Sequence, residues 1–228
     1  SVLDAIRALP GVRAASAASM VPFGTTSTDR QVSRGTTSTT ATFTVVGAGY
    51  FSALGLPVAA GREFIESEER DSDTEPVAVV DLMLAQRLFP DGSPLGQVVT
   101  LSTRDDPTGE LVRIVGVVQP VRDDILEPQS AHVYVPFGRY YRSDMTVHVR
   151  TEPGLEAAML ELLRRAIHAV DAGLPVVSLK TMTTHRDTSP SLFAVLLAAK
   201  LFAAFGTIAL ALATVGVGSD RVEDRCQP

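Results

Sequence analysis

The residues able to do chemistry in this chain are few and scattered. Its four histidines stand at His132, His148, His168 and His185, and no two have the spacing of a helical metal-ligand pair such as H-E-x-x-H. His168 falls on the polar side of an amphipathic helical pattern, and His132 and His148 fall inside strand patterns, so structural or surface roles are expected for all four. Asp71-Ser72-Asp73-Thr74-Glu75 opens like a calcium loop, but Pro76 holds the sixth position, where such a loop needs glycine for its sharp turn. Glu66–Glu75 therefore reads as a solvated acidic loop. Asp123, Asp124 and Glu127 could gather a cation, yet an exposed charged turn is the simpler reading. Gly47-Ala48-Gly49 follows a strand pattern but lacks the third glycine of a dinucleotide fingerprint. A nucleophile elbow G-x-S-x-G and a phosphate loop G-x-x-x-x-G-K-[ST] are both missing. The single cysteine, Cys226, cannot form an internal disulfide. No catalytic, cofactor-binding or metal-ligating residue is assigned on this basis, and no enzyme is expected.

The elements that would position these groups are legible from periodicity and punctuation. Val2, Leu3, Ile6 and Leu9 share one helical face, closed by the turn dipeptide Pro10-Gly11. Val12–Met20 reads as a strand. Thr25–Thr44 holds 12 Ser/Thr in 20 residues, a run that cannot build a core and reads as a surface loop or exposed hairpin. Thr42–Val46 and Val77–Val80 read as strands, with a short helix over Tyr50–Leu54 between them. Asp81 is a good N-cap for a helix running through Leu88 and stopped before Pro90. Val98–Leu101, Leu111–Val118, His132–Val135 and Thr146–Val149 are further strands. Leu155, Met159, Leu162, Leu163, Ala166, Ile167 and Val170 form one apolar stripe, predicting a helix over Pro153–Val170 that Gly173 can terminate. Val176–Leu179 returns as a strand, and strand–helix–strand here argues for helices packed on a sheet, an α+β class.

The mean hydropathy, +0.18, is high for a water-soluble domain, and the weight sits in one place. Leu192–Val217 holds 21 hydrophobic residues in 26, while the other 202 residues are about 41% hydrophobic, an ordinary soluble composition. As a helix this stretch is roughly 39 Å long at about 1.5 Å per residue, enough to cross a hydrocarbon core of about 30 Å. Lys200 interrupts it near one interface, where its stem can snorkel toward the headgroups. Small residues from Ala203 to Ala213 suit packing on another membrane helix. Lys180 and Arg186 precede the span and Arg221 and Arg225 follow it, so positive charge alone does not orient it. A net charge of −6 and a pI near 5.2 make nucleic acid a poor partner.

The order of short motifs resembles the MacB-like periplasmic core domain of FtsX-type ABC transporter permeases, from about Val2 to Val217. The pieces are Gly49-Tyr50-Phe51, Gly55-Leu56-Pro57 and Gly61-Arg62-Glu63-Phe64, then Val77-Ala78-Val79-Val80-Asp81 and Ala85-Gln86-Arg87-Leu88-Phe89-Pro90. Pro94-Leu95-Gly96, Ile114-Val115-Gly116-Val117-Val118 with Val121-Arg122, and Val133-Tyr134-Val135-Pro136 complete the series. The ordered set carries the resemblance; no single piece does.

The resemblance implies a porter-like α/β subdomain from residues 1–55 and 142–190, and an inserted small α/β lobe over 56–141. One transmembrane helix, 191–217, and a short polar tail, 218–228, follow. It implies that Tyr50 and Phe51 anchor a short helix under the lobe and that Leu84 and Leu88 pack on central strands. It also implies a location in the inner membrane with the bulk of the chain periplasmic, the helix entering from that side. The implied partners are an ABC ATPase outside this chain, other permease membrane helices in a dimer, and the bilayer; no cofactor is implied. The first membrane helix and opening strand of that family are not found before Ser1, and Ser219–Pro228 departs from its continuation, so the chain reads as a fragment of a larger permease. The expected function is non-catalytic: relaying ATP-driven motion of membrane helices for export or mechanotransmission. The alternative is a membrane-tethered extracytoplasmic binding module with no ATPase coupling.

Overall fold

The structure is a computed structural model that describes residues 1–24, 28–71, 75–122 and 129–223. It divides into two units, Ser1–Met182 and Thr183–Pro228. The first is built on a sheet of strands β1 (Val12–Ala18), β2 (Asp29–Arg34), β3 (Thr37–Val46), β4 (Val58–Gly61), β5 (Val77–Asp81), β6 (Val98–Ser102), β7 (Glu110–Val118), β8 (His132–Pro136) and β9 (Thr146–Thr151). Its helices are α1 (Val2–Arg7), α2 (Tyr50–Leu54), α3 (Glu66–Arg70), α4 (Leu82–Leu88) and α5 (Glu156–Val170). The second unit holds α6 (Met182–Asp187, starting at the boundary) and α7 (Pro190–Glu223).

Six strands pair in a ring. The order β2-β6-β7-β5-β8-β3 is closed by pairing of β2 with β3 over Asp29–Arg34 and Thr37–Thr42. Closing a sheet on itself removes its edges and makes alternate side chains point inward. Val32, Phe43, Val45, Val80, Val99, Leu101, Val112, Ile114, Val133 and Val135 accordingly form one buried cluster. Leu84, Ala85 and Leu88 of α4 join it. Asp81 starts that helix: its Oδ1 accepts from the Leu84 backbone N–H at 2.7 Å. On the outside of the ring, β4 pairs with β7.

The remaining strands, β1 and β9, form an antiparallel ribbon joined to the ring through β3, where Ala18 pairs with Val46. Helices α1 and α5 pack together on this ribbon, burying Ile6, Ala15, Met159 and Leu163 with Val2, Leu3, Leu9, Val149, Ile167 and Leu179 beside them. The mixed α/β class and most elements follow the sequence reading; β4 and α6 have no counterpart in it, and four of its readings change. Residues 25–27 of the threonine-rich run lie outside the described residues; from Asp29 on it is a hairpin, as one of its two readings had it, but its Val32, Ala41 and Phe43 lie in the core, so it does build one. The acidic stretch forms α3, with Glu68 buried, rather than a solvated loop over its described part. Helix α5 starts at Glu156, not Pro153, because Pro153-Gly154 turns first, Gly154 having φ 86°. Val176–Leu179 is no strand: its apolar residues meet the local pattern, but no strand among the described residues pairs with it.

Strands β4 and β7 approach closely where Gly61 faces Gly116. A Cβ on Gly116 would lie 2.2 Å from the Arg62 carbonyl oxygen, and one on Gly61 2.2 Å from that of Val115. Gly116→Ala is therefore expected to destabilise the domain by about 3 kcal/mol. Gly92→Ala, where a Cβ meets nothing within 4 Å, should change stability by less than about 0.5 kcal/mol, both variants being measured by urea unfolding.

Candidate functional site

The two strand histidines sit at the ends of one aromatic seam. His132 stacks on Tyr134 at 5.7 Å between ring centroids, and Tyr134 meets Phe51 edge-on at 5.0 Å. Tyr50 touches Phe51 at 5.5 Å and His148 at 5.6 Å. Helix α2 thus wedges its aromatic pair between β8 of the ring and β9 of the ribbon, and both histidines are buried, 1% and 8% exposed. Both are packed against aromatic rings in the interior. His168 is exposed on α5, and His185 belongs to α6 in the second unit.

Strand register brings together a pair that spacing alone does not reveal. Val80 faces Val133 across β5 and β8, and one position further along Asp81 lies beside His132. The His132 backbone N–H and the Leu84 N–H both donate to the Asp81 carboxylate, which is fully buried. Burial pushes this carboxyl above the usual carboxylate range, against the pull of those N–H groups and of the His132 and Arg87 charges. With neither side chain open to a substrate, the pair holds strands and a helix start together.

The glycine turn Gly47-Ala48-Gly49 is filled from within. The Ala48 N–H donates to Glu69 Oε2 at 3.2 Å, and the Ala48 carbonyl accepts from Arg7 Nη2 at 3.4 Å. The protein's own carboxylate occupies the amide that a phosphate would need. Next to Glu69, Glu68 takes both Arg62 nitrogens, at 2.7 and 3.0 Å, and the Ile65 N–H at 2.9 Å. Burial works to raise the Glu68 carboxyl, but Arg62 and the Ile65 N–H outweigh it and hold it below the usual range. Asp81 and Glu68 escape sequence reasoning as buried ionisable groups; the capping position of Asp81 is the one local signal.

Among the described residues, no three His, Cys, Asp or Glu side chains are grouped so as to hold a metal ion. Asp71 and Glu75 flank residues 72–74, which lie outside the described residues, as do Asp123, Asp124, Glu127 and Cys226.

A carboxyl raised on folding adds stability at pH below its unfolded value and loses it as pH rises through the folded one. A depressed one, Glu68, acts in the opposite sense, losing its contribution as pH falls. Asp81→Asn keeps the Leu84 cap and should abolish the decline in stability that Asp81 causes as pH rises above the ordinary aspartate pKa of about 3.9. Asp81→Ala should cost about 2 kcal/mol in denaturant unfolding, since it also leaves buried N–H groups without an acceptor.

The profile of a family described as the MacB-like periplasmic core domain matches residues 1–196. The macrolide export ATP-binding/permease protein MacB of Agrobacterium fabrum (strain C58) is 32% identical over 161 residues, 64% of this chain and 23% of that protein. The uncharacterized ABC transporter permease YknZ of Bacillus subtilis (strain 168) is 30% identical over 99 residues, 43% of this chain and 23% of that protein. The chain thus spans less than a quarter of the length of these two relatives. The solved extracellular domain of the noncanonic ABC-type transporter YknZ from Gram-positive bacteria has the same fold, with TM-score 0.54 at 19% identity over 79% of this chain and 87% of that one. So does the periplasmic region of MacB from Actinobacillus actinomycetemcomitans, with TM-score 0.52 at 19% identity, covering 74% and 72%. By a match that takes in the ring, the ribbon and the start of α7, the chain belongs to the MacB-like periplasmic core domain family.

Proposed function

We propose that this chain is the extracytoplasmic core of an ABC transporter permease, a non-catalytic element that relays ATP-driven motion of the membrane helices for export or mechanotransmission. The observation that carries this reading is the family match over residues 1–196, running directly into a helix long and apolar enough to cross a membrane. ATP hydrolysis belongs to a partner domain or subunit. The other permease helices, in a dimer, and the bilayer complete the assembly. The bulk of the chain stands on the periplasmic side of the inner membrane.

The porter-like part is residues 1–55 with 142–190, and the inserted lobe is 56–141. The cluster on α1 and α5 supports this division, because it draws only on residues 2–15 and 149–179. The β2–β3 hairpin is then the piece of the porter-like part that completes the lobe's ring. A relay needs a stiff body, and the seam at Tyr50 and Phe51 supplies stiffness where ribbon and ring meet.

Fractionation of the full chain tests the reading. It should sediment with membranes, resist extraction by high salt, require detergent for release, and retain an ATP-binding subunit on mild purification. Recovery as a soluble monomer without detergent would contradict the membrane attachment, and purification free of any ATP-binding protein would contradict the relay.

A further inference from the structure

Helix α7 is longer than a membrane needs. Its 34 residues, Pro190–Glu223, measure about 51 Å at roughly 1.5 Å per residue, against a hydrocarbon core of about 30 Å. Even the apolar run Leu192–Val217 exceeds the core by about 9 Å, so apolarity alone leaves the helix free to slide. Two registers compete. The window Pro190–Leu210 is apolar enough to cross, but it puts Lys200 at the middle of the hydrocarbon. The alternative is Leu201–Ser219, 19 residues without a charge, bracketed by Lys200 and Asp220. Its length, about 28 Å, matches the core.

Lys200 decides between them. It lies exposed on the helix surface. The residues one turn away on either side, Leu196, Leu197, Ala203 and Ala204, are apolar, and the first acidic residue of α7 is Asp220. No carboxylate on this helix can therefore neutralise the ammonium at mid-depth, where an unpaired charge is most costly. At the boundary its stem can lie in the hydrocarbon while the ammonium stays among water and headgroups. We infer that Lys200 fixes the register of α7 in the bilayer. It holds the edge of the hydrocarbon core at its own position and keeps Pro190–Ala199 outside that core as a helical extension. This rests on the membrane-spanning reading of α7.

The test uses the full chain in membranes, with Cys226→Ser removing the single native thiol and one cysteine placed at Ala194, Ala198, Ala203 or Thr207. A membrane-impermeant maleimide reads exposure to water, because the reacting species is the thiolate. Ala194→Cys and Ala198→Cys should label at least about tenfold faster than Ala203→Cys and Thr207→Cys. Adding Lys200→Leu should let the apolar run recentre and slow Ala198→Cys by about tenfold, whereas Lys200→Arg should leave it unchanged. Protection of both Ala194→Cys and Ala198→Cys with Lys200 present, or indifference of Ala198→Cys to Lys200→Leu, would overturn the inference while leaving α7 a span. Fast labelling at all four positions would overturn the span itself, and the inference with it.

Discussion

The first unit depends on one wedge, the Tyr50–Phe51 pair of α2. The ring of six strands has no edges and fills its own interior, so it asks little of the rest of the chain. The β1–β9 ribbon is different. It meets the ring through a single register pair, Ala18 with Val46, helped by the flanking bonds Ser19 N–H to Val45 O at 2.8 Å and Gly47 N–H to Ala17 O at 2.8 Å. What makes the junction stiff is aromatic packing. Phe51 against Tyr134 and Tyr50 against His148 place four buried rings between β8 and β9. Edge-to-face pairs of this kind contribute about 0.5–1.5 kcal/mol each beyond their buried area.

Charge is arranged to hold that wedge at the right place. Helix α3 sends Glu69 to the Ala48 N–H just before α2, and Arg7 reaches the Ala48 carbonyl from α1. Glu68, tied to Arg62, keeps α3 itself docked. Arg62 directly follows the Gly61–Gly116 approach that seats β4 on β7. One short stretch of chain, from Gly47 to Arg70, therefore clamps ribbon, ring and β4 together, and the motif series Gly49-Tyr50-Phe51, Gly55-Leu56-Pro57 and Gly61-Arg62-Glu63-Phe64 falls inside it. In a relay, motion reaching one part of such a body is carried to the rest.

Legibility in the sequence tracked how local each determinant is. Helix α4 could be read because Asp81 caps it and Leu84 and Leu88 face one way; α5 could be read from its stripe, and β5 to β9 from apolar residues between turn signals. The β2–β3 hairpin could not be recognised as core, because its few apolar residues, such as Val32, Ala41 and Phe43, stand among threonines, two of which, Thr42 and Thr44, are themselves buried. Ring closure is a pairing between distant segments, and composition does not register it. Val176–Leu179 is the converse, a sufficient local pattern with no strand paired to it among the described residues. Of the site, the placement of His132 and His148 on strands was visible from the local pattern. The juxtaposition of His132 with Asp81 was not, since it depends on the register of β5 against β8. Helix α7 was legible as a candidate span because length and apolarity are themselves the physical requirement.

The central claim is that the ring and the ribbon move as one body when the transporter works. The direct measurement is the distance between spin labels at Ser33 on β2 and Arg164 on α5, taken by pulsed electron resonance on the chain in the proposed assembly with an ATPase. The account predicts a single, narrow distance distribution that is the same without nucleotide, with trapped ATP and during turnover. A distribution that shifts or splits with nucleotide state would contradict it, because the seam at Tyr50 and Phe51 would then be a hinge rather than a weld.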